Sequence, residues 1–567
     1  MLSKLLPFEF QLQFRQIGFW ITIAFLFIAV VLFSLVTFDT SGERILANGA
    51  LITAAQISSF SMFSIFFGAV FVVSGVMRDE VSGSLEIIHA TPVQTAPLVL
   101  ARYIGAYLAT FAALLAMVLG VFVSQFLPFV DSEVLGPINP LYYLQPTLIF
   151  VTVNALLITA IFCTVAMITR SRAMVYVSAV ALLVLYMIST SFVSDDRPEL
   201  LVSLLDPFGT IALGIETAFW SPEEQNTQLA PFAGYVLINR LVWGGIGLAL
   251  FAFCFLRFTR GIVTRSNKNT GGAALSHAAQ EEIELHTLAK PISNGGFRTL
   301  LTRVRFEYLT TIRSIAFMIL TALILVLSVL FILIRDFVTP DPSLPTNTLM
   351  SVLAFAGTVL PLLILSIFFS GEIIWRDRAA KMTELIDSTR TRNWPLMAGK
   401  WLAMLLVVIT IIFGSSLMGM AAQLALGDVS LNLATHFGNA FMSFAPSILF
   451  YCTLIMFIQN FMPNKVVGMI VGGVIVAGFQ FGVGLLPFFH PLMAFGNVPD
   501  GGFSEMNGFG DPGRYWWFLT YWLGLAGLFS VASIWLWRRG VQTGLMTRIE
   551  SIRSQMSLPS LALGAAS

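Results

Sequence analysis

Residues 78–102 read RDEVSGSLEIIHATPVQTAPLVLAR, and residues 376–400 read RDRAAKMTELIDSTRTRNWPLMAGK. At a constant offset of 298 they match at Arg78/Arg376, Asp79/Asp377, Glu86/Glu384, Ile88/Ile386, Thr91/Thr389 and Pro97-Leu98/Pro395-Leu396. The same offset carries Phe8-Glu9 onto Phe306-Glu307 and Arg15 onto Arg313. These matches are mostly polar or special residues flanking apolar runs, so shared hydrophobicity does not produce them. The chain is an internal repeat.

What repeats is a membrane unit. Of the 567 residues, 57% are hydrophobic and 11% charged, with a mean hydropathy of +0.85. A soluble domain carries about 25% charged residues, so the composition excludes one. Apolar runs long enough to span a bilayer fall near 17–38, 51–77, 98–127, 147–169, 173–193 and 235–256. In the second half they fall near 314–335, 349–373, 401–427, 439–461, 465–487 and 515–537. The expected fold is therefore an all-α integral membrane protein with two homologous six-helix halves. The first occupies 1–263, a cytoplasmic linker 264–298, and the second 299–567 with a short cytoplasmic tail.

Six spans per half give both copies one orientation. With both termini inside, 26 of the 31 Lys and Arg fall on cytoplasmic segments; Arg44, Arg197, Arg240, Arg335 and Arg514 lie outside or at an edge. Acidic runs such as Asp195-Asp196 and Glu223-Glu224 lie outside. This is the charge asymmetry of a multi-pass protein of the cell membrane. Lys4 and Arg15 precede a run with no small-residue cleavage site after it, so the first span is expected to be a retained anchor. The linker is polar and Gly-containing and reads as a tether, with QEEIEL able to form a short helix. Each half opens with an amphipathic stretch, LPFEFQLQFRQ or VRFEYLTTIRS, suited to the headgroup layer. Cys163, Cys254 and Cys452 lie in apolar runs without metal-ligand spacing.

The segments 78–102 and 376–400 are too long for simple turns. In the first, Gly83 and Ser84 can start a helix, Leu85 and Ile88 share a face, and Pro92 ends it. A short helix between two spans lets a partner push on both.

Here the sequence resembles the permeases of type-2 ATP-binding-cassette exporters. Their loop after the second span reads Arg, an acidic pair, Gly-Ser/Thr-x-Glu, an apolar pair, then Ser/Thr-Pro. The matching residues are Arg78, Asp79, Glu80, Gly83, Ser84, Glu86, Ile87, Ile88, Thr91 and Pro92. The likeness covers each six-span half, including the opening helix and a Phe-Gly stretch before the last span (LDPFG at 205–209, FG at 495–496). It implies that the loop is a coupling helix docking on a separate cytoplasmic ATPase, two of which would bind ATP and Mg. Arg376, Asp377, Glu384 and Thr389 are the second-half counterparts. Lys381 stands for the Gly and Arg390 for the Pro, which implies weaker docking there or a different partner. The chain is also similar, more narrowly, to permeases fused to zinc aminopeptidases or grouped with copper-enzyme maturation. On that likeness a peptidase or other external partner would be on another chain.

No G-x-x-x-x-G-K-[ST] phosphate loop occurs, and none of the five histidines forms H-E-x-x-H. Neither an ATP site of that kind nor a zinc hydrolase is encoded, so no catalytic, cofactor or metal residue is expected here. Nothing points to nucleic acid. The connections 194–234 and 488–514 contain Pro, Gly and aromatics and suggest re-entrant or interfacial helices on the outer side. Ionisable residues are nearly absent from the apolar runs; Gln56, Asn154, Gln423 and Gln459 are read as interhelical hydrogen-bonding residues. That scarcity argues against proton or sodium coupling. Two rivals remain: a major-facilitator-type secondary transporter, disfavoured by its missing loop motif and missing buried charges, and a scaffold that transmits ATPase motion outward without moving a substrate.

Overall fold

The computed structural model describes residues 2–39, 45–79, 84, 88, 90–91, 94–127, 130, 134–191, 198–266, 296–333, 346–389, 391–482, 490–499, 503–504, 508–509 and 512–537. Among these, ten helices are long and apolar enough to cross a membrane. They are Ala50–Gly75, Thr95–Ser124, Leu141–Thr169, Arg172–Thr190, Gly234–Arg257, Ile315–Leu333, Val359–Ala379, Asn393–Ala425, Leu433–Phe461 and Gly513–Trp535. Ser3–Phe14 and Ile17–Val31, bent by 66°, make an eleventh if the pair is one span. The chain is an all-α multi-pass membrane protein. A two-residue ladder, Phe503–Ser504 against Gly508–Phe509, is the extended structure among the described residues.

The expected count of twelve differs from this at 465–487. There the described apolar helix, Lys465–Gln480, is short, and residues 483–489 lie outside the described residues. The linker residues 267–295 and the tail 538–567 lie outside them too.

Local irregularities repeat with the halves. The second span of the first half carries a 3-10 turn at Ser61–Phe63. In the second half it parts into Asn347–Ala356 and Val359–Ala379. Each fourth span carries one π turn, at Thr147–Val151 and at Ala440–Phe444. A proline adjoins each, Pro146 before the first and Pro446 after the second; lacking an N–H, it interrupts the regular ladder.

Within a half, the opening helix and first span pack on the third span, and the second span packs on the fourth. Between halves, the fifth span of the first, Arg172–Ser191, packs against Ile315–Leu333 and Val359–Ala379. Val177, Val180 and Val184 join Leu320, Ile324, Leu327 and Phe369 in one buried cluster at this seam. At the related seam, Ile17–Asp39 meets Lys465–Ala477. Lipid tails are as apolar as these side chains, so close packing rather than water exclusion holds such seams.

Candidate functional site

The opening helices are amphipathic in an inverted sense. Leu2–Phe14 turns Phe8 and Phe10 outward and buries Glu9 and Gln13; Gly296–Ile312 exposes Phe306 and buries Glu307 and Thr311. A buried carboxylate needs cations or donors around it, and both halves supply them from the same two places.

In the first half, Arg78, just past the end of the second span, donates from Nη1 to Glu9 Oε2 at 3.0 Å and from Nη2 to Oε1 at 2.9 Å. This two-pronged pairing is the strong geometry for an arginine and a carboxylate. Arg102, buried two turns into the third span, pairs with Asp79 and brings its Nε within 3.7 Å of Glu9 Oε1. Three helices thus meet at one ionic junction where the 78–102 loop departs.

The second half repeats it. Arg376 pairs with Glu307, while Lys400 Nζ lies 3.1 Å from both Glu307 Oε1 and Asp377 Oδ2. Lys400 is Arg102's counterpart at the offset of 298. Arg303 adds a third cation, 2.6 Å from Glu307 Oε1 and also paired with Asp377; Leu5 occupies its first-half position. Arg376 Nη2 also donates to Thr311 Oγ1 at 2.9 Å.

The loops beyond are hydrogen-bonded alike. In the first, Ser84 N donates to Asp79 O at 3.0 Å, Ile88 N to Ser84 O at 3.0 Å, and Thr91 N to Ile88 O at 3.1 Å. In the second, Met382 N donates to Asp377 O at 2.9 Å, Ile386 N to Met382 O at 3.0 Å, and Thr389 N to Ile386 O at 3.1 Å. Thr91 and Thr389 each close their turn with an Oγ1 donation to the same carbonyl. Lys381, in the glycine position, has φ +56°, a left-handed conformation that glycine adopts without penalty. The substitution therefore keeps the turn and places a strained residue in it.

Of the residues singled out in sequence, Arg78, Asp79, Arg376 and Asp377 come together at the junctions. Arg376 and Asp377 belong to the last turn of the second span of their half, whereas Arg78 and Asp79 follow the second span of the first, which ends at Gly75; Arg102 and Lys400 lie inside the third spans. Ser84, Ile88, Thr91 and Thr389 form the loop turns. Glu384, exposed on the short helix Thr383–Asp387 with Leu385 beside it, takes no part in the ionic junction. Glu80, Gly83, Glu86 and Pro92 lie outside the described residues. Arg102, Lys400 and Arg303 were not singled out, although Arg102 and Lys400 end the two quoted stretches and match across the repeat.

The expectation that spans hold almost no charge is corrected. Besides Arg102 and Lys400, buried in the third spans, Arg240 is buried in the span Gly234–Arg257. Its Nη1 donates to Asn154 Oδ1 at 2.8 Å, its Nε to Asn239 Oδ1 at 3.0 Å and its Nη2 to Pro207 O at 2.9 Å. One charge among many apolar residues hardly moves a hydropathy window, and neutral acceptors make its burial tolerable. Arg240 holds the LDPFG turn, where Asp206 accepts from Phe208 N at 2.8 Å and Ile211 N at 2.9 Å, and Gly209 has φ +87°.

Short helices at Glu199–Leu205, Thr210–Glu216 and Pro222–Thr227 build this connection. Ser221 caps the last, donating from N and Oγ to Glu224 Oε2 at 2.7 and 2.9 Å. Those bonds hold the Glu224 carboxyl below its ordinary range. The second-half turn uses aromatics instead. Phe495 packs on Tyr451, Phe479 and Trp522, and Ser447 Oγ donates to Gly496 O at 2.7 Å.

Of the four amides, Asn154 donates to Ser61 Oγ at 2.5 Å. Gln459 Oε1 accepts from Trp375 Nε1 at 3.1 Å, and Gln423 Oε1 bonds His436 Nε2 at 2.7 Å. These three join helices as expected; Gln56 is buried without a partner for either amide atom among the described residues.

The junctions fix the opening helix and the third span to the root of one loop through charge-assisted bonds. They contain no nucleophile paired with a base. Among the described residues no group of three or more His, Cys, Asp or Glu could hold a metal ion. No protein-family model and no curated protein matches this chain.

Proposed function

We propose that this chain is the permease of an ATP-driven exporter of the type-2 ATP-binding-cassette kind, its two six-span halves forming a pseudo-twofold pair in the cell membrane. Both termini and the 264–298 linker lie in the cytoplasm, and the loops 78–102 and 376–400 face the same way. Separate ATPase subunits, carrying ATP and Mg, press on these loops. The halves repack in response, moving a substrate or driving an external partner such as a peptidase.

The observation that carries this reading is the duplicated ionic junction. Each loop is rooted by Arg78-Asp79 or Arg376-Asp377 to an opening helix and a third span. A load on such a loop reaches three helices at once. A loop that merely connected spans would not need buried charges at its root, since these are costly to place.

A photo-reactive residue at Leu385, which is 62% exposed, tests the reading in native membranes. The expected adduct is an ATP-binding-cassette ATPase subunit, whose activity drops when Glu9→Gln and Glu307→Gln are combined. An adduct with no nucleotide-binding protein, or unchanged ATPase activity in that variant, would overturn it.

A further inference from the structure

The span Val359–Ala379 carries Glu372, whose counterpart in the first half is Ser74. Ser74 Oγ donates to Gln13 Oε1 at 3.0 Å, so a six-span half closes without an acid at this level. A carboxylate inside an apolar span is a functional signal unless the fold requires it. Glu372 pairs with Lys465, the first residue of Lys465–Ala477. Their side chains stay 30% and 25% exposed, in contrast to Glu307 and Lys400, both at 0%. This pair can be reached.

The groups around it belong to both halves. Lys465 Nζ lies 5.6 Å from the centre of the Phe368 ring. Across the seam, the Tyr176 ring lies 6.3 Å from Phe368, and its Oη is buried without a hydrogen-bond partner. Arg172, one turn before Tyr176, is exposed, with no ion-pair partner among the described residues. It lies within electrostatic reach of Lys465 and Tyr176. Arg172 and Lys465 each begin a fifth helix, whose N-terminal end adds positive potential. The group therefore offers two cations and one carboxylate, with an unspent hydroxyl and the Phe368 ring buried behind them.

We propose that Lys465, Arg172 and Tyr176 form a binding station for the phosphate or carboxylate headgroup of an anionic amphiphile. Its chain extends from there into the bilayer, and Glu372 is the resident counter-ion that the headgroup replaces on Lys465. The station needs no motor subunit, so it stands or falls apart from the permease reading.

The test uses the purified full-length chain in neutral detergent, with fluorescent phosphatidylglycerol and a matched phosphatidylcholine as probes. Energy transfer from protein tryptophans should show phosphatidylglycerol binding about tenfold tighter. Combining Arg172→Gln with Lys465→Gln should abolish the preference, and Tyr176→Phe should weaken it about threefold. Glu372→Gln should tighten phosphatidylglycerol binding about threefold, because Lys465 is released. A purely structural pair gives the opposite sign: Glu372→Gln would lower thermal stability without raising affinity. Equal affinity for the two lipids, or weaker phosphatidylglycerol binding in Glu372→Gln, overturns the proposal. Retention of the lipid against millimolar inorganic phosphate supports an amphiphile, whereas displacement by phosphate assigns the site to a free anion and overturns that part.

Discussion

In the first half, Glu9 and Asp79 face two arginines, Arg78 and Arg102; in the second, Glu307 and Asp377 face Arg303, Arg376 and Lys400. Both arrangements tie an opening helix to the second and third spans. The first is balanced among the described residues, and its arginine fork meets one carboxylate with two bonds. The second has a surplus cation and puts a lysine, a point charge rather than a planar fork, at its centre. Geometry at this place is therefore maintained while charge is not, and the two junctions should fail differently.

The largest expected effect comes from Glu307→Gln. It leaves three cations around one carboxylate in a site where Glu307 and Lys400 are fully buried, and it should cost about 3–5 kcal/mol, the range for stranding buried charge. Glu9→Gln leaves two cations around one carboxylate and should cost less. Reversible unfolding in mixed micelles measures both; equal losses, or the reverse order, would break the comparison.

Next is Arg303→Leu, which gives the second junction the first half's composition. Alone it should change stability by about 1 kcal/mol, yet it should make Glu307→Gln less damaging, with an interaction energy of about 1–2 kcal/mol across the double-mutant cycle. Simple additivity of the two changes would show that the surplus charge does not matter.

The loops give a smaller effect of opposite sign. Lys381→Gly removes a left-handed non-glycine residue, a conformation costing roughly 1–2 kcal/mol, offset in part by glycine's greater freedom when unfolded. A net gain of about 0.5–1 kcal/mol is expected, localised by slower hydrogen exchange at Met382 and Ile386. Unchanged exchange there would mean the turn is not strained.

The smallest is a pH effect at Asp428 in the second half. Asp428 accepts from Ser430 Oγ and N and from Gln423 Nε2, bonds that hold its carboxyl below the usual range. The corresponding residue of the first half is Val130. A depressed carboxyl stabilises above its unfolded value and loses that contribution as pH falls through its folded value. Hydrogen exchange at 427–432 should therefore quicken on acidification toward that lowered value, and Asp428→Asn should abolish the pH dependence. A persistent dependence in that variant would place the titrating group elsewhere.

Much of this was legible in the sequence. Apolar runs located the helices, and the matches at Glu9, Arg78 and Asp79 marked where the halves resemble each other. Less visible was that these matches touch. Arg102 and Lys400 looked like loop ends because a basic residue at a membrane edge is the commonest case, and their burial depends on an opening helix folding back over them. Lys381 read as a departure from the pattern because residue identity does not reveal φ. Arg240 was hidden by its neighbours' hydropathy, and its acceptors, Asn154 and Pro207 O, lie far from it along the chain.

The contrast between Glu372 and Ser74 has a consequence for how such a protein can be encoded. An assembly of two identical six-span chains repeats every residue on both sides of its axis. It would hold two acids at that level or none. Joining the halves in one polypeptide frees each position to change alone, so a single carboxylate can stand at the seam with a cation from either side. The duplication supplied the scaffold's symmetry, and the fusion allows that symmetry to be broken one side chain at a time, giving the seam a direction that a homodimer could not inherit.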